Sequence, residues 1–146
     1  MEYAIRLLDT SDYEKGYLKL LSQLTTVGDI SEETFKARVE EMRSMKSYFI
    51  HVIEDTEKEK IIGTASLIIE LKFIHGCSKI GHIEDVVVDS TYRGLKLGQK
   101  LIDSLVERSR AEGCYKTILD CAESNSGFYE KCGFKKKEIQ MVQYHD

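Results

Sequence analysis

The stretch between His82 and Val106 constrains the fold of this chain more than any other part of the sequence. It begins with an almost continuous apolar run over residues 83–88, rich in β-branched side chains, which predicts a central strand covered on both faces. A polar break follows, and from Leu97 onward apolar residues recur at helical spacing. A buried strand, a basic loop and a helix are therefore predicted in immediate succession.

The loop between this strand and this helix predicts a binding site for phosphate groups. Gly94 and Gly98 let the backbone approach a ligand closely, and Arg93 and Lys96 add positive charge. The first turn of the helix leaves backbone N–H groups unpaired, which favours an anion there. The spacing matches neither a Walker loop nor the dinucleotide fingerprint. The loop alone also fits an ordinary turn with solvated basic side chains.

The order of the predicted elements indicates one α+β domain covering residues 1–146. The length suits a single core, and the sequence shows no repeat or linker. Strands are predicted at residues 3–8, 48–54, 61–73, 80–88, 115–121 and 134–144, and helices are predicted to begin near residues 12, 31, 97 and 125. The order β-α-α-β-β-β-α-β-α-β predicts a mixed, mostly antiparallel central sheet with helices on both faces.

Composition excludes several classes of protein. The net charge of −4 argues against a general nucleic-acid binder, and no stretch is apolar and long enough to span a membrane. The four cysteines form no Cys-x-x-Cys pair, which favours reduced thiols over a disulfide framework or a zinc site. We therefore expect a cytoplasmic protein without a metal, a nucleic-acid partner or a membrane anchor.

Two motifs carry a resemblance to the GNAT N-acetyltransferase superfamily. The basic loop resembles the Arg/Gln-x-x-Gly-x-Gly/Ala loop of that family, with Lys96 in place of the middle glycine. Asn125-x-x-Phe128-Tyr129 resembles its Asn-x-x-x-Phe-Tyr segment, with one residue fewer. The resemblance implies the family fold and acetyl-CoA as co-substrate. The cofactor-binding residues that it implies are Val86, Val87, Val88, Arg93, Gly94, Leu95, Lys96, Leu97, Gly98, Gln99, Asn125 and Tyr129.

Three side chains near these motifs are candidates for acid–base chemistry. Tyr129 could donate a proton to the leaving thiolate, although a tyrosine on a short helix is often only a buried amphipathic residue. Glu84 and Asp85 are carboxylates in an apolar strand, and successive strand residues face opposite sides. They predict amine binding and proton acceptance, with a salt bridge at a sheet edge as the alternative.

Longer sequence blocks resemble the glucosamine-6-phosphate N-acetyltransferase family within that superfamily. The blocks cover residues 24–28, 68–75, 81–85, 113–116, 119–121 and 125–134. This resemblance implies direct transfer of acetyl from acetyl-CoA to the amine of D-glucosamine 6-phosphate, a step of UDP-GlcNAc biosynthesis, by a homodimer. It implies Tyr129, Glu84 and Asp120 as catalytic residues. The implied substrate-binding residues are Thr25, Lys72, Phe73, Ile74, His75, Glu84, Asp85, Val86, Tyr115, Lys116 and Asp120.

One departure from that family and several alternatives stay open at this point. The last strand of the family usually ends in a basic residue that reaches the substrate phosphate, whereas Gln143, Tyr144 and His145 stand here. The chain could instead acetylate a peptide, a polyamine or another amine, or it could bind acyl-CoA without catalysis. Cys121 could in principle act as a nucleophile, but no histidine is placed to suggest a pair. The identity of the general base is also open.

Overall fold

The computed structural model describes residues 1–145 of the chain. The strands are β1 (Tyr3–Leu7), β2 (Tyr48–Asp55), β3 (Lys60–Leu71), β4 (Lys79–Val88) and β5 (Lys116–Leu119). The helices are α1 (Tyr17–Leu21), α2 (Glu32–Met45), α3 (Ile74–Cys77), α4 (Leu97–Ala111) and α5 (Ser126–Lys131). Two 3₁₀-helices, Thr10–Tyr13 and Glu123–Asn125, precede α1 and α5.

The described strands form one sheet in the order β1-β2-β3-β4-β5. The first four strands are antiparallel neighbours, and β5 lies parallel to β4 after the crossover through α4. The predicted α+β fold class, a mixed and mostly antiparallel sheet, is therefore confirmed. β4 has neighbours on both sides and is the strand where the antiparallel part of the sheet meets the parallel strand β5.

The sheet is covered on both faces, as predicted. One core cluster packs the sheet against α4, with Ile53, Leu67 and Ile83 facing Leu101 and Leu105. Another packs the opposite face against α1 and α2, and its buried members are Leu8, Tyr17, Leu20, Phe35, Val39, Ile50, Val52 and Ile61. Neighbouring residues of one strand enter different clusters, as the period of two in a strand requires.

Polar side chains cap two helices close to the positions, near residues 12 and 31, where the sequence predicts that helices begin. Ser31 caps α2 by accepting a hydrogen bond from the Thr34 N–H, and Glu32 and Glu33 occupy its first turn. Asp9 caps the 3₁₀-helix that precedes α1 and forms a capping box with Asp12. These caps fix the entry of two helices onto the same face of the sheet.

The structure differs from the prediction at the C-terminus. The strand expected at 134–144 is not formed, and residues 134–145 have no regular secondary structure. A strand needs a neighbour for its backbone hydrogen bonds, and within the described residues this segment has none. Several of its apolar side chains are consequently exposed: Ile139, Met141, Val142 and Tyr144.

Smaller differences concern the ends of strands. The strand expected at 61–73 ends at Leu71, and α3 follows as an irregular turn in which His75, Gly76 and Cys77 have positive φ. The strand expected at 115–121 is limited to β5. Val86 to Val88 are half-buried and not fully covered. No helix of the described residues is long and apolar enough to cross a membrane.

Candidate active site

The candidate site lies where β4 and β5 separate. β5 pairs with Ile80–Ile83 of β4 and ends at Leu119, whereas β4 continues to Val88. A bulge opposite Ala65 breaks the β3–β4 register, and Asp85 has a φ of 51° there. Because a bulge bends a strand and increases its twist, it directs the second half of β4 away from β5.

Among residues 1–145, the second half of β4 has no neighbouring strand on the side where β5 has ended. Asp89 N–H donates to Ile62 C=O at 2.8 Å, so alternate residues before it also direct their backbone groups toward β3. Val86 and Val88 therefore direct their N–H and C=O groups to the open side. Their side chains pack on the core beside α4, while Val87 packs on the opposite core.

The basic loop leads from this open edge into the N-terminus of α4. Gly94 has a φ of 84°, and Lys96, which replaces the family's middle glycine, has a left-handed φ of 55°. Within residues 1–145 no side chain caps α4, so its first N–H groups stay available to a ligand. Arg93 is exposed, and its Nε donates to Ser90 C=O at 3.1 Å.

The remaining loop residues differ in environment. Leu97 is buried in the core and Gln99 is half-buried, whereas Leu95 is exposed. Gly98 packs against Phe128 of α5, and a Cβ on it would lie 3.1 Å from Phe128 Cζ. The loop thus offers its backbone and its charged side chains to a ligand. Its two leucines differ, because Leu97 packs in the core and Leu95 is exposed.

Asp89 anchors the start of the basic loop. Its carboxylate accepts from the N–H and hydroxyl of Thr91 and lies 3.2 Å from Lys60 Nζ. Burial opposes ionisation of this carboxyl, but the bonds from Thr91 and the contact with Lys60 outweigh it and lower its pKa to about 2. Asp89 is therefore charged at neutral pH and holds the loop through local hydrogen bonds.

Tyr129 is half-buried in α5, between the rings of Phe128 and Phe134. Burial, together with the nearby thiols of Cys121 and Cys132, raises the pKa of its phenol above the ordinary value. The phenol consequently stays protonated at neutral pH, as a proton donor must. Asn125 is exposed in the turn that precedes α5, and its side chain caps no helix.

Three carboxylate side chains surround the ring of His82, a residue that sequence reasoning did not include in the site. His82 Nδ1 lies 2.9 Å from Glu70 Oε1, and Nε2 lies 2.9 Å from Glu84 Oε1 and 3.6 Å from Asp120 Oδ2. Gln140 Nε2 donates to Asp120 at 3.3 Å. Alternation along each strand is visible in the sequence, but the register that brings these residues together is not.

Two carboxyls of this cluster, Glu84 and Glu70, have pKa shifts in opposite directions. Burial raises the pKa of Glu84; the charge of His82 acts against this, and the charges of Asp85, Asp120 and Glu70 add to it. Burial also opposes ionisation of Glu70, but its contacts with His82 and Lys72 outweigh burial and lower its pKa. A raised carboxyl pKa is typical of a proton acceptor.

The same cluster offers donor atoms to a divalent cation. Ligand atoms of His82, Glu84 and Asp120 all lie within 4.8 Å of one another. Both nitrogens of the imidazole, however, already contact carboxylates, and Glu70 accepts at Nδ1. The geometry is therefore explained by contacts between the imidazole and its neighbouring carboxylates.

The predicted substrate residues lie in separate groups. His75 and Tyr115 stack with ring centroids 4.5 Å apart, and Lys116 Nζ lies 5.7 Å from the centroid of the Tyr115 ring. Lys72 Nζ contacts Glu70 Oε2 at 3.2 Å and so joins the His82 cluster. These two groups contain most of the predicted polar and aromatic contacts.

The other predicted substrate residues are less constrained. Thr25, Phe73 and Ile74 are exposed and have no side-chain hydrogen bond within the described residues. Asp85 lies on the side of Tyr17, whose pKa is raised to about 12 by burial first and by the charge of Asp85 among other causes. The bulge at Asp85 interrupts the alternation of β4, so the opposite facing expected for Glu84 and Asp85 is not maintained there.

Comparison with known proteins identifies the family. A model described as the acetyltransferase (GNAT) family matches residues 11–134. Glucosamine 6-phosphate N-acetyltransferase of Arabidopsis thaliana is 49% identical over 99% of this chain and 97% of the relative. Glucosamine 6-phosphate N-acetyltransferase 1 of Dictyostelium discoideum is 44% identical over 97% and 90%. The crystal structure of the Arabidopsis enzyme has a TM-score of 0.97 at 48% identity and covers 100% of both chains.

The chain belongs to the GNAT acetyltransferase family. Within that family, the relatives that match nearly its full length are named glucosamine 6-phosphate N-acetyltransferases, which confirms the narrower resemblance seen in the sequence blocks.

Proposed function

We propose that this chain transfers the acetyl group of acetyl-CoA to the amine of D-glucosamine 6-phosphate, giving N-acetyl-D-glucosamine 6-phosphate and CoA. The observation that carries the proposal is the open edge of β4, which has a basic helix N-terminus at one end and Glu84 and Asp120 at the other. The names of the full-length relatives support the choice of substrate.

The site suits acetyl-CoA in shape and in charge. Strand addition along Val86 and Val88 would hold the extended pantetheine arm, and their N–H groups would meet the thioester oxygen. The pyrophosphate would lie at the N-terminus of α4, bound by backbone N–H groups and by Arg93 and Lys96. Asn125, at the N-terminus of α5, would bind the arm through its amide.

The amino-sugar phosphate would lie between the two groups of predicted substrate residues. The amine would face Glu84 and Asp120, and Asp85 stands next to them in β4. Lys72 and Lys116 would bind the phosphate, and His75, Tyr115 and Thr25 would contact hydroxyls. Phe73 and Ile74 would cover the sugar ring from the segment around α3.

The reaction is a direct attack. The lone pair of the neutral amine forms the C–N bond at the thioester carbonyl carbon, and the C–S bond breaks. The nitrogen releases its proton toward Glu84 and Asp120. The raised pKa of Glu84 favours its acceptance there. Tyr129 donates its phenolic proton to the leaving thiolate and regains one from water.

We further propose a single-domain enzyme that acts in the cytoplasm as a homodimer. Exposed apolar side chains support the dimer: Leu71, Phe73, Ile139, Met141, Val142 and Tyr144. A segment of this composition without a neighbouring strand favours pairing with a second copy of the chain. The four free cysteines agree with a reducing compartment.

The proposal is tested by measuring thiol release from acetyl-CoA with a panel of amines. The panel contains glucosamine 6-phosphate, glucosamine, a polyamine and a lysine peptide. We expect kcat/KM to be highest for glucosamine 6-phosphate. Equal values for the two sugars would reject the sugar-phosphate substrate, and activity only on the polyamine or the peptide would assign a different acetyltransferase. Binding of CoA without turnover of any amine would indicate a binding module.

A further inference from the structure

We infer that His82 is a positioning residue of the acetyl-transfer reaction, which Glu70 holds in place and which keeps Glu84 and Asp120 fixed as charged groups beside the amine. This inference rests on the function proposed above.

Sheet geometry places these four residues together. In the register, His82 lies opposite Ile68 of β3 and Ile118 of β5. Glu70 and Asp120 each follow those partners by two residues, and Glu84 follows His82 by two. Since residues two apart in a strand share a face, all four side chains project from one face of three adjacent strands. The backbone of β4 is fixed on both sides at His82, so the ring has little freedom to leave.

Each ring nitrogen of His82 faces a carboxylate. Nδ1 forms a hydrogen bond with Glu70, while Nε2 is shielded from solvent and lies 2.9 Å from Glu84 Oε1 without hydrogen-bond alignment. Asp120 approaches the same nitrogen at 3.6 Å. Of the forms of imidazole, only the imidazolium presents an N–H to the carboxylates on both sides.

When protonated, the ring of His82 offsets the negative charge of the carboxylates around it. Glu70, Glu84 and Asp120 surround it, Asp85 follows in β4, and the one further cation in contact is Lys72 on Glu70 within the described residues. Repulsion among these carboxylates favours protonation of one carboxyl group, whereas the charge of His82 favours the ionised form of Glu84. A carboxyl that already holds a proton cannot accept the one that the amine releases.

The contacts continue from the cluster to Lys72. Glu70 lies between Lys72 Nζ at 3.2 Å and His82 Nδ1 at 2.9 Å. Lys72 is the residue proposed above to bind the substrate phosphate. His82 therefore lies between the phosphate side and the amine side of the site. It acts through Glu70 and Glu84 and is not itself one of the reacting groups.

The experiment compares His82→Gln and His82→Asn with the wild type. The amide nitrogen of glutamine approximates Nε2 and that of asparagine approximates Nδ1, so each variant keeps one donor and removes the charge. His51→Gln is the matched control, because burial first, and the charge of Arg108, lower the pKa of His51 to about 4 and leave it neutral throughout the assay. CoA affinity is measured by calorimetry, and kcat and KM for the amino sugar are measured from pH 5.5 to pH 9.

We expect both His82 variants to bind CoA as the wild type does and to lose about tenfold in kcat at the acidic end, the effect of one charge-assisted hydrogen bond. The acidic limb of the kcat profile should move to higher pH, because Glu84 loses the charge that favours its ionised form. In His51→Gln the limb should stay in place.

Three results would overturn the inference. An acidic limb that coincides with that of the wild type in both His82 variants would mean that the ring does not influence the proton acceptor. A loss of kcat equal at every pH, together with weaker CoA binding, would indicate a structural role. Loss of wild-type activity on treatment with EDTA, restored by zinc, would assign the cluster to a metal ion. Failure of the wild type to acetylate glucosamine 6-phosphate would instead reject the proposed function, since the pH comparison can be made with any amine that is turned over.

Discussion

Gly98, in the first turn of α4, packs directly against the ring of Phe128 in α5. A Cβ on Gly98 would lie 3.1 Å from Phe128 Cζ and 3.8 Å from Val88 Cγ2. The helix that would bind the pyrophosphate and the helix that carries Tyr129 therefore meet at a glycine. This contact fixes the separation of the two helices beside the open edge of β4.

The first prediction concerns this contact. Gly98→Val adds three carbons where the neighbouring ring leaves little room, and overpacking of this kind costs about 1–3 kcal/mol. Strain at this contact should displace the first turn of α4, and we expect CoA affinity to fall about tenfold or more, which is about 1.4 kcal/mol of binding free energy. Gly127→Ala, in α5, is the control because a Cβ there meets no atom within 4 Å. Calorimetric titration with CoA measures both, and unchanged affinity in Gly98→Val would contradict the assignment of the loop.

The second prediction concerns Tyr129. Tyr129→Phe keeps the aromatic packing against Phe128 and Phe134 and removes the phenolic proton. We expect CoA affinity to be unchanged and turnover to fall about tenfold or more if the phenol protonates the leaving thiolate. Single-turnover kinetics separates chemistry from product release. A wild-type rate of the chemical step would remove Tyr129 from the mechanism.

The sequence predicts most of this fold because its strongest patterns are local. The apolar run of β4, the basic loop and the amphipathic α4 each follow from neighbouring residues, and the structure places them as expected. The segment 134–144 also has a strand-like pattern, but a strand requires a partner, and sequence periodicity does not supply one. The prediction there was wrong for the described chain.

The candidate site was predictable where one motif carries it and less so where strands must be aligned. The loop from Arg93 to Gly98 can be identified by inspection. The cluster around His82 depends on the register among β3, β4 and β5 and on the bulge at Asp85, neither of which a single sequence specifies. Glu70 and His82 were consequently missed, although Glu84 and Asp120 beside them were included.

The third prediction concerns stability at the edge of the sheet that β1 forms. The guanidinium of Arg6 donates to both oxygens of Asp12, whose side chain is 0% exposed, and also contacts Glu54. Removing one partner of a buried ion pair costs about 3–5 kcal/mol, because an uncompensated charge stays behind. We therefore expect Arg6→Met to lower the free energy of unfolding at pH 7 by about 3 kcal/mol, measured by urea denaturation.

Acidification should reduce the difference in the free energy of unfolding between Arg6→Met and the wild type. The bond from Lys15 lowers the pKa of Glu54; burial opposes this, and the contacts with Arg6 add to the lowering. Such a carboxylate stabilises the fold above its unfolded pKa and loses this contribution as the pH falls through its folded pKa. Arg38→Met, which removes an exposed pair with Glu41, should change stability by less than about 1 kcal/mol. Equal effects of the two substitutions would contradict this account.

The fourth prediction concerns the proposed homodimer. Ile139 is 86% exposed in the single chain, so glutamate there should not disturb the monomer. If the segment 134–144 pairs with a second copy, however, Ile139→Glu places a charge in an apolar interface, and light scattering should show the mass of one chain. Met45→Glu, exposed at the end of α2, should leave the dimer intact. A monomeric wild type with full activity would contradict the proposal.

The last prediction concerns recognition of the substrate phosphate. Lys72 and Lys116 are the cations nearest the groups assigned to the amino sugar, and no lysine or arginine follows Lys137. A charge-assisted hydrogen bond contributes roughly 1.5–3 kcal/mol, so two of them would separate glucosamine 6-phosphate from glucosamine by about two decades or more in kcat/KM. Lys72→Ala and Lys116→Ala should each reduce kcat/KM for the phosphorylated sugar more than for glucosamine.

The matched control is Lys19→Ala, which removes an exposed lysine of α1 outside the groups assigned to the sugar phosphate. It should leave the ratio of the two kcat/KM values at the wild-type level. Lys72 differs from Lys116 because it also contacts Glu70, and through Glu70 the ring of His82. Lys72→Ala should therefore also lower kcat for the phosphorylated sugar, while Lys116→Ala should act mainly on KM. Parallel losses for both sugars in both variants would show that these lysines support the fold of the site and do not bind the phosphate.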